Sequence, residues 1–337
     1  MTRTDEMMAF LNDHLTDDFT VESLAGDASF RRYHRIHFNQ KNDDTPMTYL
    51  LMDAPPEKES VVEFVKVAQI LAKQVNVPDI IAKDMERGFL LLQDFGTTEF
   101  AHLIADPTQK DTLYQKALAT LIQLQKIPTD VDLPPYDDDK LIMEMELFVA
   151  WFLPYVGVAV DDDFNELWGR LHQSLLTNIQ AQPKVIVHRD YHSRNLMADK
   201  SSDNLGVIDF QDALIGADTY DLVSLVRDAY IHETESWVND KIQAFYELSH
   251  RTDGVDKFTK DVNVMGVQRH LKVLGIFVRL CQRDGKERYL ADIPKVMNDL
   301  LIELDALSGH DGVYGEFLVW LRQAVLPSYQ QKFGIVQ

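Results

Sequence analysis

Apolar residues alternate along the first ninety or so positions of the chain and recur at helical spacing beyond Gly96. Thr20–Leu24, Arg32–Phe38 and Thr48–Met52 read as strands, and Asp53-Ala54-Pro55-Pro56 ends the third. Ala25-Gly26-Asp27-Ala28-Ser29 reads as a tight turn between the first two. A helix follows from about Glu57 to Gln74, with Val61, Val65, Ala68, Ala72 and Val75 along one face. Phe89-Leu90-Leu91-Leu92 is apolar throughout, as a buried strand is, and leads into Gln93-Asp94-Phe95-Gly96. The pattern then predicts helices over Asp111–Lys126, Asp138–Phe152, Asp163–Asn178, Tyr220–Tyr230 and Val264–Cys281, with more between 291 and 327. One β island interrupts them: the strand Lys184–Val187, then Leu196–Ala198 and Leu205–Ile208 joined by the polar turn Asp199–Asn204. The expectation is an α+β protein with a small β-rich lobe at residues 1–93, a connector at 94–99 and a helical lobe at 100–337.

The chemistry concentrates in that island. His188-Arg189-Asp190 follows the strand, Asn195 stands five residues after Asp190, and Asp209 closes the hairpin. An Asp, an Asn five residues on and a second Asp after a short apolar stretch are the layout of a phosphoryl-transfer site. Such a reaction needs a carboxylate to accept a hydroxyl proton and oxygen ligands to hold Mg²⁺ across the ATP phosphates. Asp190 is the candidate base. Asn195 enters the first hairpin strand and Asp209 leaves the second, so both belong at its open end and are candidate Mg²⁺ ligands. His188 is assigned to structural support of the loop. Arg194 reads equally as a surface residue or a phosphate contact.

Composition narrows the remaining options. The 337 residues are 45% hydrophobic and 26% charged, which is ordinary for a globular protein. The formal charge of −21 disfavours nucleic acid and anionic membranes as partners. A single cysteine, Cys281, cannot form an internal disulfide, and neither CxxC nor HExxH marks a zinc site. With no membrane-length apolar run and no signal-peptide core after Met1, a cytoplasmic location is expected, with no obligate protein partner.

In this island and this order of elements the chain resembles the aminoglycoside phosphotransferase family, the small-molecule branch of the protein-kinase-like fold. Gly26–Tyr33, Leu51–Pro56, Leu92–Gly96 and Glu146-Leu147-Phe148 with Trp151 are similar to segments of the bacterial anomeric kinases for N-acetylmuramate and N-acetylglucosamine. The resemblance covers nearly the whole chain. It implies a two-lobed fold, ATP with Mg²⁺, and an amino-sugar acceptor drawn from peptidoglycan recycling. Other small hydroxylated acceptors, such as an aminoglycoside or choline, stay open, as does a catalytically dead ATP-binding regulator. In this frame Gln93, Asp94 and Phe95 form a hinge whose backbone meets adenine, although Asp94-Phe95-Gly96 spells a metal-binding tripeptide. Ser29 and the N–H groups of its turn would contact the phosphates. Asp221 reads as a helix N-cap, and the resemblance adds that it holds the catalytic loop.

Two departures stand out. The turn carries one glycine, and the third strand has Met52 where a phosphate-pairing lysine is expected, which leaves Glu59 and Glu63 without a partner from that strand. Arg31 or Arg32 is the replacement cation to look for, and Arg32 is taken as the ATP contact. For the acceptor, Tyr136, Trp151, Phe152 and Tyr155 offer ring faces, and Glu144, Glu146 or Asp212 offer hydroxyl-binding carboxylates. Glu146, Trp151 and Asp212 are the selected candidates.

Overall fold

A computed structural model of the chain describes residues 2–16, 18–24, 31–38, 48–199 and 201–334. By internal packing the chain divides into two compact units, one of residues 1–127 with 194–213 and the other of residues 128–193 with 214–337. Among the described residues no helix is long and apolar enough to cross a membrane.

The first unit is built on a five-stranded antiparallel sheet in the order β1-β2-β3-β5-β4, with β1 Phe19–Ser23, β2 Arg32–Phe38, β3 Thr48–Asp53, β4 Ile80–Asp84 and β5 Phe89–Gln93. Because successive side chains alternate across a strand, Ile36, Phe38, Leu51, Phe89 and Leu91 share one face. Met7, Phe10 and Leu11 of the helix Arg3–His14 pack on that face. The opposite face, with Met52, Leu90 and Leu92, is buried as well, so β5 carries no polar alternation. Each such buried side chain contributes roughly 1.5–3 kcal/mol.

The N-terminal helix is an addition to the expected elements. Its apolar stripe is short, and a capping box starts it: the Asp5 N–H donates to the Thr2 hydroxyl, while the Thr2 N–H donates to the Asp5 carboxylate at 2.8 Å. The edge strand β4 was also missing from the sequence pattern, since its five residues alternate only weakly between half-buried and exposed. The turn behind it makes the hairpin possible. Gly88 sits at φ +71°, and the Ala54 N–H donates to its carbonyl at 2.9 Å, an approach that a Cβ would block.

Later strands are β6 Lys184–Val187, β7 Leu196–Ala198, β8 Leu205–Val207 and β9 Leu214–Ala217. The β7–β8 hairpin belongs to the first unit and is tied into it. The Ala198 N–H donates to Thr98 and the Val207 N–H to Asn76, both at 2.8 Å, and the Asn76 amide donates to Asp199 at 2.9 Å. A Cβ on Gly206 would lie 2.5 Å from the Phe95 ring, so only glycine lets that ring pack beneath β8.

In the second unit β6 pairs antiparallel with β9, which the sequence pattern did not resolve. The long helix Val255–Asp284 extends well past the predicted 264–281. It is buried on nearly every side from Asp261 to Gly275, so no polar face marks its ends in the sequence. The expected helix over 138–152 is α-helical only over Asp138–Leu147. It continues as a π-helical turn, Phe148–Phe152, closed by the Leu153 N–H donating to the Phe148 carbonyl ahead of Pro154.

Candidate active site

The loop after β6 is shaped by the helix after β9. β6 and β9 pair antiparallel, with Lys184 opposite Ala217 and Val187 opposite Leu214, and Asp221 lies in the first turn of the helix Tyr220–Val226 that follows β9. The Asp221 carboxylate accepts the backbone N–H groups of His188 at 2.7 Å and Arg189 at 3.0 Å. The Asp190 N–H donates to His188 Nδ1 at 3.2 Å, and the Ser193 N–H donates to Asp228 at 2.9 Å. Arg189 is thereby held at φ +78°, a left-handed conformation that costs energy for a residue other than glycine. Thr219, rather than Asp221, occupies the N-cap position of the helix.

Burial pushes the Asp221 carboxyl up to about 6, against the opposing pull of His188, the loop N–H groups and Arg269. A carboxyl whose folded pKa is raised contributes stability that is fully present below its unfolded pKa and is lost as pH rises through about 6. Asp221→Asn removes that titration along with one of the two acceptor oxygens. Thermal unfolding followed across pH is expected to show the wild type most ahead of Asp221→Asn near pH 4. The gap should narrow, by up to about 3 kcal/mol, until pH passes about 6 and then stay level. A gap that widens over that window contradicts the assignment.

Asp190 sits among basic side chains. Burial raises its pKa, but Lys272, then His192, Arg269 and His188, outweigh burial and hold the carboxyl below the usual range. Lys272 and Arg269 come from the helix Val255–Asp284, three residues apart on one face. Lys272 Nζ donates to the Tyr220 hydroxyl at 2.9 Å and pairs with Glu144 at 3.3 Å, while Arg269 donates to the Arg189 carbonyl at 3.4 Å. Glu144, 4% exposed, also pairs with Arg189 and accepts from the Tyr136 hydroxyl. The result is a carboxylate ionised at neutral pH on a loop of fixed shape, the state a general base requires.

Asn195 and Asp209 lie in the first unit, at the open end of the β7–β8 hairpin. The Ile208 N–H donates to the Asn195 carbonyl at 3.1 Å, and the two side chains stand 3.5 Å apart (Asn195 Nδ2 to Asp209 Oδ2). Asp209 is at φ +64°, and Gln211 donates to its other oxygen at 2.9 Å. An Asn and an Asp side chain meeting at one hairpin end can each offer an oxygen to Mg²⁺, which takes hard oxygen donors and completes its shell from water and substrate phosphates.

On the nucleotide side Ser29 lies outside the described residues. Gln93 ends β5, its N–H donating to the Asp79 carbonyl at 2.9 Å. Asp94 is occupied: Arg35 donates to it at 2.6 and 3.2 Å, and the Gly96 N–H donates at 2.8 Å. Phe95 is buried beneath Gly206. Arg32 is exposed and faces the same side of the sheet as Asp53, its partner in the β2–β3 register, where it lines a shallow hollow with Arg3, Glu6 and Lys58. Arg31 is buried and pairs with Glu59 at 2.8 Å. Glu59 precedes the helix Val62–Leu71 rather than lying on it, and Glu63 is exposed.

The acceptor candidates are divided between the two units. Glu146 and Trp151 belong to the second unit, and the exposed Asp212 to the first. Trp168 Nε1 donates to Glu146 at 2.7 Å. Tyr136 and Phe152 are core residues, and the Tyr155 ring lies tilted against Phe333. The ionic partners around Asp190 escaped sequence reasoning. Their signal was available in the sequence: Arg269 and Lys272 stand in a mostly apolar helical run, where charges are rare unless paired.

A family model for the phosphotransferase enzyme family matches residues 20–255. The chain belongs to that family. This phosphotransferase is 39% identical over 320 residues to an N-acetylmuramate/N-acetylglucosamine kinase of Pseudomonas putida, covering 87% of this chain and 89% of the relative. It is 41% identical over 278 residues to a kinase of the same name from Pseudomonas aeruginosa, covering 80% of each chain. A third of that name, from Neisseria meningitidis, is 40% identical over 292 residues, 84% of this chain and 85% of the relative. Among solved structures, an aminoglycoside 2'-phosphotransferase in a GDP complex matches with a TM-score of 0.60 at 16% identity, over 88% of this chain and 97% of the other. A choline/ethanolamine kinase family protein from Mesorhizobium loti matches at 0.59 and 12% identity, over 95% and 99%. These likenesses establish the two-lobed, protein-kinase-like α+β fold, and the phosphotransferase acts on a hydroxyl group.

Proposed function

We propose that this phosphotransferase moves the γ-phosphoryl group of ATP to the anomeric hydroxyl of N-acetylmuramate or N-acetylglucosamine, in the cytoplasm, for peptidoglycan recycling. The observation that carries the substrate is identity of 39–41%, over four fifths or more of both chains, to three kinases named for those sugars. Residues 1–93 form the nucleotide-binding lobe, 94–99 the hinge and 100–337 the helical lobe in this reading.

Asp190, held ionised by Lys272 and its neighbours, takes the proton from the attacking anomeric hydroxyl. The oxygen then bonds to the γ-phosphorus as its bond to the ADP oxygen breaks. Asn195 and Asp209 hold Mg²⁺, which supplies positive charge to the phosphates. His188 and Asp221 keep the loop in shape, backbone groups of Gln93 to Phe95 meet adenine, and Ser29 meets a phosphate. Glu146, Trp151 and Asp212 serve the sugar.

Incubation with Mg-ATP and a panel of amino sugars, aminoglycosides and choline tests the reading. Phosphorylation at the anomeric oxygen blocks ring opening, so reducing power is expected to fall one-for-one with ADP released. ADP release with the reducing end left free points to another hydroxyl. Turnover with only an aminoglycoside or choline overturns the sugar assignment, and Mg-ATP binding without turnover on any acceptor identifies a regulator.

A further inference from the structure

A strand lysine is missing at Met52, and the first unit places a different cation on the same face of the sheet. The β2–β3 register sets Tyr33 directly opposite Met52, so both side chains point to one face. Arg31 comes just before the strand, and its hydrogen bond to the Tyr33 phenol puts its guanidinium on that side. Arg32 is turned to the other one, toward Asp53. Arg31 pairs with Glu59 at 2.8 Å, and its guanidinium also hydrogen-bonds the Tyr33 phenol. Burial, helped by the negative charges of Asp209 and Glu59, pushes the phenol's pKa up to about 12 despite the nearby guanidinium. The cation and its carboxylate partner thus sit beside a phenol that lies within electrostatic reach of Asp209.

We propose that Arg31 is the residue that neutralises the ATP phosphates in place of the absent strand lysine, with Glu59 and Tyr33 as positioning residues that aim its guanidinium. This rests on the reading of Asp209 as a ligand of ATP-bound Mg²⁺. The physical logic is that triphosphate charge needs a fixed cation on the protein, and that a guanidinium offers several N–H donors in a planar fork suited to phosphate oxygens. The fork is held by a carboxylate on one side and a phenol on the other, so little ordering remains to be done when the phosphates arrive. Met52 is fully buried and apolar, and fills the space that a lysine stem would take.

The experiment compares wild type, Arg31→Met, Arg31→Lys, Arg32→Ala and the double variant Arg31→Met/Met52→Lys. Each is measured for Mg-ATP affinity, adenosine affinity, and kcat/KM for ATP with the best acceptor. Arg31→Met is expected to lower kcat/KM for ATP by about 100-fold or more. It should weaken Mg-ATP binding while leaving adenosine binding unchanged, a split that general damage to the fold does not produce. Arg31→Lys should lose less. Adding Met52→Lys to Arg31→Met should recover at least about tenfold, since the register puts position 52 on the same face. If Arg31→Met fails to fold because Glu59 loses its guanidinium partner, Arg31→Met/Glu59→Gln removes that charge and carries the same expectation.

Equal losses of ATP and adenosine binding, no recovery by Met52→Lys, or an effect of Arg32→Ala as large as that of Arg31→Met each overturn the inference. Its failure is separable from failure of the functional reading. Wild type that neither binds nor turns over Mg-ATP refutes the kinase reading, whereas active wild type with an indifferent Arg31 refutes only this assignment.

Discussion

Replacing Asp190 with Asn is expected to lower kcat by about 10²–10⁴-fold and leave Mg-ATP affinity within a few-fold of wild type. The substitution is nearly isosteric and keeps the backbone N–H that donates to His188 Nδ1. It removes the one property the loop geometry protects, a carboxylate able to accept a proton at neutral pH. Lys272, His192, Arg269 and His188 hold that carboxylate ionised against the cost of burial, so in the wild type the acidic limb of the rate profile should not come from Asp190. Loss of the anion leaves Lys272 and Arg269 their contacts to Glu144, Tyr220 and the Arg189 carbonyl, and folding should survive. Single-turnover rates, nucleotide titration and thermal unfolding separate these effects. A kcat within tenfold of wild type removes Asp190 from the role of base.

The largest expected loss of stability follows from Glu144→Ala. Glu144 accepts from the Tyr136 hydroxyl and pairs with both Arg189 and Lys272, and all of these groups are buried or nearly so. Breaking a buried pair from one side leaves a charge without compensation and costs about 3–5 kcal/mol, whereas exchanging the whole group for apolar residues is often neutral. Arg189 immediately precedes Asp190 and holds a left-handed backbone, so the substitution should also reduce kcat by loosening the loop. Denaturant unfolding is the measurement. Adding Lys272→Met to Glu144→Ala should restore part of the loss, because the stranded ammonium is gone. A cost under about 1 kcal/mol shows that water or another acceptor already satisfies the two cations. Glu144 therefore holds the second unit together around the loop, and its carboxylate is not available for a sugar hydroxyl.

Much of the architecture was legible along the chain because it depends on local periodicity. Four of the five strands of the N-terminal sheet, the β7–β8 hairpin and most of the helices follow from alternation, helical spacing and turn residues. The convergence of Asn195 and Asp209 was legible for the same reason, since a tight hairpin fixes where its two ends meet. The missed elements had weak local signals: β4 depends on β5 for its pairing, β9 on β6, and the helix Arg3–His14 on a sheet face to cover. The ends of Val255–Asp284 were obscured because burial on every side erases amphipathic contrast.

Within the site, sequence by itself determined which residue types stand at which spacing, and hence a candidate base, a candidate metal pair and a missing lysine. Only the tertiary structure decided what surrounds them. It brought Lys272 and Arg269, some eighty residues away in sequence, to hold Asp190 ionised. It committed Glu144 to two cations and Asp94 to Arg35, and through strand register it separated Arg31 from its neighbour Arg32. Periodicity and turn chemistry act over a few residues and can be read in order. Ion pairing and burial act through space between distant segments, and nothing in the local sequence ranks one arginine over the next.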